Sequence, residues 1–594
     1  MKKKYIKTLS IFFLLTRTWK FLSKRRKTQV KGLFILIIIN SFTELLSLIS
    51  IVPFLSLITN PASIYEISFM REISNFFNIY SANQLLLPTT IFFLISTLIS
   101  GTSRLIFTFL TLRISSNIVS ELSSEAFRKS LYKPYSYHLK TNSNILITTL
   151  TKDINEIIYL VFIPIIKFIS ATIISFIIIL CLLYVDLNIS LLSLLVVFLL
   201  YGIFFKNSAF TISKISKNNI AFGQILTKFV QESLGAIREV IISNNYDFFI
   251  KRFSKDDLYY RREISLGTFI VSLPRLVIEP LGIMCMILLA YVLIIFGKTN
   301  EVIPLIGTFS FGALKLLPYG QQIYEGINNP RIAEERLKNL LNILEDDDSS
   351  EIKKEASVNI KFKEKIRLVN LTFSYEKNNS PIFEGFNLTI NKGDRIGIIG
   401  KTGSGKSTFL DILLGLQTPT KGSFYIDNYI LCKNGTSNNM LIKSWQKYLA
   451  NVPQNIYLSD TSIAENIAFG INPKDIDYKK INEVAEKSIL MEFINQTKFG
   501  FNTIVGEHGM MISGGQKQRI GLARALYKES KFLILDEATS AIDNFTEELI
   551  LQNLSQLDPE ITMIIVAHRL NTLKCCNKIY EIDEGELVER NLQK

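Results

Sequence analysis

The chain has 594 residues, 48% of them hydrophobic, with a net charge of +14 and a mean hydropathy of +0.27. That length exceeds what one hydrophobic core organises, and the apolar excess lies before residue 400, in stretches long enough to cross a hydrocarbon layer of about 30 Å. A wholly soluble protein is excluded, and the positive charge needs no nucleic acid, because much of it precedes the first apolar stretch, where positive-inside orientation accounts for it.

Residues 1–32 are basic and carry no acid, ending in Lys24-Arg25-Arg26-Lys27 and Lys31. The apolar run Ile11-Phe12-Phe13-Leu14-Leu15 is too short for a signal peptide, and Arg17 and Lys20 follow it where a cleavage site would stand. An amphipathic helix on the inner membrane surface is expected instead. An all-α transmembrane domain follows over 33–327, with six helical spans near 33–59, 85–112, 157–185, 187–205, 268–296 and 302–326. An even number puts both termini on one side, the cytoplasm, so the expectation is a multi-pass protein of the bacterial inner membrane. The inner connections, 113–156 and 206–267, are long, charged and helix-permissive, whereas the third-to-fourth and fifth-to-sixth connections are short. On the outer side, Ile64, Ile67, Met70, Ile73, Phe76 and Phe77 recur at helical spacing and predict a short amphipathic helix.

Residues 328–359 turn polar and read as a linker. From 360 to 594 the pattern is that of a soluble α/β domain, with strands at 366–373, 424–426, 532–535 and 563–566 and a mainly helical block over 474–530. The five cysteines, Cys181, Cys285, Cys432, Cys575 and Cys576, lack metal-ligand spacing and read as structural.

Chemistry concentrates in the second half. Gly400-Lys401-Thr402-Gly403-Ser404-Gly405-Lys406-Ser407-Thr408 follows the apolar run Ile396–Ile399 and precedes a helical pattern, so it reads as a strand, a phosphate-cradling glycine loop and a helix. Its backbone N–H groups would face the anion, Lys406 would reach the β/γ-phosphates and Ser407 would ligate Mg²⁺, so ATP-type nucleotide and Mg²⁺ are the expected ligands. Downstream, Phe532-Leu-Ile-Leu535 ends in Asp536 and Glu537, placing one carboxylate for the Mg²⁺ shell and one to polarise attacking water.

Ser513-Gly514-Gly515-Gln516 opens a second helix with an anion-binding end. Followed by the apolar strand and Asp-Glu, it resembles the signature of the ATP-binding cassette family. The resemblance implies two nucleotide domains packed head to tail, so that Ser513 and Gly515 serve the partner's ATP. By the same likeness Tyr375 would stack on adenine, Gln454 would touch Mg²⁺ and water, residues 503–509 would form the cross-linking loop of exporters, Asp543 the dimer-contact loop and His568 the γ-phosphate switch. Ile512 departs from the family's more usual Leu but keeps an apolar anchor. Both Glu537 and His568 are present, so two identical chains build two competent sites and a homodimer is expected.

Spans followed by a cassette resemble an exporter-type half transporter. Ionisable side chains inside spans cost about 2.5–3.5 kcal/mol each; those here are Glu44, Arg104, Lys167, Arg275, Glu279 and Lys315. Arg104, Arg275 and Lys315 fall roughly 12–17 Å from the inner ends of their spans, where they would line one cavity and take a phosphate or pyrophosphate headgroup. The competing reading pairs Arg275 with Glu279 and lets Lys315 snorkel. Ser41-Phe-Thr-Glu44, Leu273-Pro274-Arg275 and Leu314-Lys315-Leu-Leu-Pro318 resemble bacterial lipid-linked oligosaccharide flippases of the PglK type, with Lys315 where that group has Arg. The resemblance implies a polyprenyl-diphosphate sugar as cargo. A lipid A, drug or peptide exporter shares every cassette motif, and a membrane protein that uses ATP only for gating is the reading from another class.

Overall fold

The structure, a computed structural model, describes residues 2–59, 82–295, 299–345, 360–375, 380–583 and 585–590. The expected outer amphipathic helix, the turn between the fifth and sixth spans and residues 346–359 of the linker lie outside them; the linker's first part, expected to be a polar connector, is instead helical, as the end of the sixth span and a further helix Glu334–Glu345. The chain divides into two compact units, the main boundary falling between Glu351 and Ile352.

The first unit is helical throughout. Its elements are α1 (Lys2–Phe21), α2 (Lys24–Ile49), α3 (Ile51–Thr59), α4 (Leu86–Leu131), α5 (Ser143–Val185), α6 (Leu187–Gly235), α7 (Tyr246–Ile295), α8 (Thr299–Ile332) and α9 (Glu334–Glu345). Ser23 caps α2, its hydroxyl accepting from the Arg26 N–H, and Asp186 both ends α5 and caps α6, accepting from the Ile189 N–H at 2.9 Å. Helices α4, α6 and α7 run well past their apolar cores into the charged connections, so those connections are helical extensions of the spans. Helix α5 contains two π-helical turns, Thr149–Asp153 and Ile158–Phe162, which periodicity could not show.

Among the described residues five helical stretches are long and apolar enough to cross a membrane: Lys24–Ile58, Leu86–Leu131, Ser143–Val185, Leu187–Gly235 and Tyr246–Val292. The sixth expected span is present as the long helix α8. It buries Thr308, Gln321, Asn328 and Arg331 against α5, α6 and α7, because an interior helix of a bundle faces protein rather than lipid. Outward faces remain apolar, with Phe198 80% exposed on α6, as lipid contact requires.

Helix α9 is fastened to the base of this unit. Leu337, Leu340, Leu341 and Leu344 pack with Ile118, Leu122 and Ile157 in one core, while Arg336, 2% exposed, puts Nη2 2.6 Å from Glu156 Oε2. Arg336 Nε also lies 3.3 Å from Asp153 Oδ1, although it is not aligned to donate. Asp153 closes the first π turn, and Glu156 lies in the short α-helical stretch Ile154–Ile157 between the two π turns.

The second unit carries two sheets. Strands β1 (Lys365–Phe373), β2 (Phe383–Asn391), β4 (Lys421–Ile426), β5 (Tyr429–Lys433) and β6 (Thr436–Ser437) make an antiparallel sheet ordered β2-β1-β4-β5-β6. Strands β3 (Arg395–Ile399), β7 (Leu449–Val452), β8 (Phe532–Asp536), β9 (Thr562–Val566), β10 (Lys578–Asp583) and β11 (Glu586–Arg590) make the other, ordered β11-β10-β3-β9-β8-β7 and parallel except for β11. The central strands are apolar between their ends, Ile396, Ile398, Phe532, Ile534, Ile564 and Val566 all being buried, as a parallel sheet covered on both faces demands. Helices α10 (Lys406–Leu413), α11 (Asn439–Gln446), α12 (Gly514–Tyr527) and α13 (Asn544–Ser555) flank it.

Candidate active site

Parallel register brings the chemistry to one edge. Val452 pairs with Leu535, Asp536 with Val566 and Ile398 with Val566, so β7, β8, β9 and β3 end side by side. Residues just beyond those ends are Gln454, Glu537, His568 and the glycine loop, at the carboxyl edge where α/β sheets bind ligands.

The glycine loop runs from β3 into α10. Gly403 and Gly405 hold φ values of 85° and 101°, and a Cβ on Gly400 would stand 2.5 Å from the Ile582 carbonyl, so larger residues are excluded. Lys406 is 8% exposed and donates to the carbonyls of Gly400 at 2.8 Å and Lys401 at 3.0 Å. Ser404 Oγ is buried without a partner among the described residues. A buried ammonium, an orphaned hydroxyl and the α10 N-terminus around one loop fit a polyphosphate. Tyr375 stands over the same helix, its hydroxyl 3.1 Å from Thr408 Oγ1.

Glu537 is the most constrained side chain of the edge. Its φ of 49° is left-handed, a conformation that costs a non-glycine residue on the order of 1–2 kcal/mol. Its carboxylate accepts from Gln454 Nε2 at 2.7 Å and lies 2.8 Å from His568 Nε2. Gln518, on α12, donates to the Glu537 carbonyl at 3.2 Å and to Ser540 Oγ at 2.9 Å and accepts from the Ala541 N–H at 2.9 Å, tying down the turn after β8. Sequence reasoning missed Gln518; its spacing from the Ser-Gly-Gly-Gln run was the available signal. Burial pushes the Asp536 carboxyl up, the charge of Glu537 adds to this, and Lys406 opposes it. Burial, then Asp536, pushes Asp411 up to about 6; that acid sits one turn after Ser407 on α10 and was also missed. One carboxylate, the Ser407 hydroxyl and the Gln454 amide, completed by phosphate oxygens and water, fit the oxygen coordination of Mg²⁺.

Ser513, Gly514, Gly515, Gln516 and Asp543 gather around the start of α12. Ser513 and Gln516 form a reciprocal capping box. The Ser513 hydroxyl accepts within that box, which leaves its proton free to donate to an anion. A Cβ on Gly515 would meet the Ala541 carbonyl at 3.0 Å, so the turn leading to Asp543 packs directly on the glycines. Asp543 caps α13, accepting from the Thr546 N–H at 2.9 Å, and that bond holds its carboxyl below the usual range.

In the helical unit the three expected cavity cations do not behave alike. Lys315 is engaged internally, its Nζ 2.6 Å from Glu44 Oε2 and 2.9 Å from Ser47 Oγ. Arg104 lies over the Tyr319 ring at 5.8 Å, one turn along α8 from Lys315. Arg275 pairs with Glu279 at 3.6 Å, both exposed. Arg104 and Lys315 thus border one cluster, and Arg275 takes the i,i+4 partner on its own helix.

A glycine loop at a strand-to-helix turn and a carboxylate pair at the end of a neighbouring parallel strand, with a histidine beside them, define a P-loop nucleotide-binding domain, here following a helical membrane domain in one chain. Residues 49–302 match the ABC transporter transmembrane region and residues 383–540 match ABC transporter, between them most of the chain. The chain belongs to the ABC transporter family, as an exporter-type half transporter. It is 38% identical over 221 residues to the ATP-dependent lipid A-core flippase of Idiomarina loihiensis, 37% of each chain. It is 36% identical over 226 residues to ABC transporter B family member 29, chloroplastic, of Arabidopsis thaliana, 38% of this chain and 35% of that one. These matches span little more than a third of the relatives' length. The fold is shared with a bacterial Atm1-family ABC exporter with ATP bound, at a TM-score of 0.69 and 19% identity, over 95% of this chain and 94% of that one.

Proposed function

We propose that two copies of this chain form an ATP-driven exporter of the bacterial cytoplasmic membrane, moving an amphipathic, lipid-linked molecule outward. The carrying observation is the grip of Gln454 and His568 on Glu537, because a carboxylate so oriented at the strand end can take a proton from water attacking the γ-phosphate. Lys406 and the loop N–H groups bind the phosphates, and Tyr375 bears on the adenine. Mg²⁺, when bound by Ser407, Asp536 and Gln454, neutralises phosphate charge. Ser513 and Gly515 of one copy close on the nucleotide of the other, with Asp543 at the contact. Residues 1–32 form the basic arm, 33–327 the membrane domain, 328–359 the linker, whose first part through α9 packs on the membrane domain, and 360–594 the ATP-binding domain, with the arm and the ATP-binding domain in the cytoplasm.

For cargo, the first reading is a polyprenyl-diphosphate oligosaccharide whose headgroup meets Arg104 and Lys315, with Arg275 joining them once it leaves Glu279. Lys315 must first part from Glu44, so the pyrophosphate replaces a carboxylate. The second reading is a lipid A-like glycolipid, favoured by the names of the relatives. Both are tested with purified protein in proteoliposomes, comparing wild type and Glu537→Gln for ATP-dependent translocation of a polyprenyl-diphosphate oligosaccharide and of lipid A. Movement of the first by wild type alone supports the proposal; movement of lipid A alone replaces its cargo; movement of neither with ATP hydrolysis intact refutes both cargoes.

A further inference from the structure

The basic arm has no part in the site described above, yet it is built into the helical unit. One edge of α1 is buried: Leu14, and Leu22 just beyond the end of the helix, belong to the same core as Leu340 and Leu344 of α9. The remaining circumference is unlike a solvent face. Phe12 and Trp19 are 72% and 40% exposed, and at about 100° per residue they fall about 20° apart, on a single edge. Phe13 and Lys20 share a second edge in the same way. The cations Lys20, Lys24, Arg25 and Lys31 are exposed and have no ion-pair partner among the described residues. Residues 2–31 contain no acid to neutralise them, and α2 passes from Lys24 straight into the first membrane span. Aromatic rings beside unneutralised cations at the mouth of a span match a surface of anionic lipid headgroups.

The other two arginines of the arm turn inward. Arg26 Nε meets Glu121 Oε2 of α4 at 3.1 Å. The Arg17 guanidinium forks onto Glu345, Nε to one carboxylate oxygen and Nη2 to the other, and Lys129 donates to the neighbouring Leu344 carbonyl. Glu345 is the last residue of α9, the helix after which the chain continues into the ATP-binding domain.

We infer that residues 11–31 are a docking surface for anionic lipid in the cytoplasmic leaflet, and that the Arg17–Glu345 pair passes docking on to α9. Lipid on the outer edges of α1 fixes the helix, and the forked pair on its inner edge then fixes the end of α9, so ATP turnover rises with anionic lipid. This rests on the exporter reading only for its ATPase readout, and docking is measured without it.

The test uses full-length protein in nanodiscs of phosphatidylcholine alone or mixed with phosphatidylglycerol. The chain has two tryptophans, and Trp445 is fully buried in the soluble unit, so quenching by brominated lipid reports Trp19. Brominated phosphatidylglycerol is expected to quench at least twice as strongly as brominated phosphatidylcholine, with the difference lost in K20Q/K24Q/R25Q/K31Q. Equal quenching by the two lipids, or quenching untouched by that variant, overturns the docking surface. ATPase activity is expected to rise about threefold with phosphatidylglycerol in wild type, to lose that response in Arg17→Glu and in Glu345→Arg, and to regain it in the R17E/E345R double variant. A response that survives Arg17→Glu, or none in wild type that hydrolyses ATP, overturns the transmission. If no ATP is hydrolysed in any lipid, the exporter reading and the transmission fall together, while the quenching result stands or falls alone.

Discussion

Glu537→Gln removes one negative charge while keeping the side chain's length and its capacity to meet Gln454 and His568. A positioned general base contributes about 10²–10⁴-fold, equivalent to about 2.7–5.5 kcal/mol of barrier, so ATP turnover should fall by that factor. Binding should persist, because the glycine loop and Lys406 are untouched; losing the charge also lets the Asp536 carboxyl relax toward its ordinary range, leaving burial as the main influence on it. Gln454 and His568 contact the two oxygens of the same carboxylate at 2.7 and 2.8 Å, and groups acting through one side chain are not additive. Gln454→Ala and His568→Ala should each cost less than Glu537→Gln, and adding either to Glu537→Gln should cost little more. The assay is phosphate release at saturating ATP, with retained nucleotide measured by filter binding. A Glu537→Gln enzyme keeping more than a tenth of wild-type turnover, or fully additive double variants, would refute the assignment of Glu537 as the base that these two side chains orient.

Arg336→Ala leaves Asp153 and Glu156 facing each other without the buried guanidinium, which should cost the helical unit about 3–5 kcal/mol. Thermal melting in detergent measures this, and D153N/E156Q/R336M should recover most of it. Trp445 donates from Nε1 to the Leu413 carbonyl at 2.8 Å and packs its ring against Phe532 at 5.3 Å. Trp445→Phe should therefore destabilise the ATP-binding unit by about 1–2 kcal/mol for the abandoned carbonyl, and Trp445→Ala by about 3–5 kcal/mol, read from the melting of that unit. Asp411 titrates at about 6 when folded against about 3.9 unfolded, so the native state binds the extra proton in that window. Nucleotide-free stability should fall as pH rises from 4 to 6, and Asp411→Asn should gain about 1 kcal/mol at pH 7.5, after allowance for partial exposure, and nothing at pH 4. Melting curves across pH that show no gap between the two proteins would contradict the burial of this acid.

The nucleotide edge was readable because its geometry is local. Glycines in a tight loop, an apolar strand ending in acids and a capping box each need particular residues within a few positions of one another, and the parallel register then aligns them. Glu537 was legible as an acid but its left-handed backbone was not, since that conformation follows from how the turn after β8 is tied to Gln518 on α12. The membrane half was legible in outline from hydropathy alone. Helix α8 buries polar side chains such as Gln321 and Asn328 because it packs against α5, α6 and α7, and which side of a helix meets protein depends on partners far away in sequence. Glu44 and Lys315, 271 positions apart, were each recognisable as costly inside a span, yet nothing local said that each was the other's compensation.

Each π turn of α5 closes its ring from i to i+5, so it holds one residue more than the α-helix around it. Removing a single residue within Thr149–Asp153 or Ile158–Phe162 would return that turn to ordinary helix with the flanks still in line. A one-residue deletion is ordinarily ruinous in a packed helix, because it rotates everything beyond it by about 100°. Here two such deletions could be absorbed beside the acids that hold α9. Related chains that differ by one residue at this place would therefore keep the same architecture, and length variation in α5 should concentrate at these two turns.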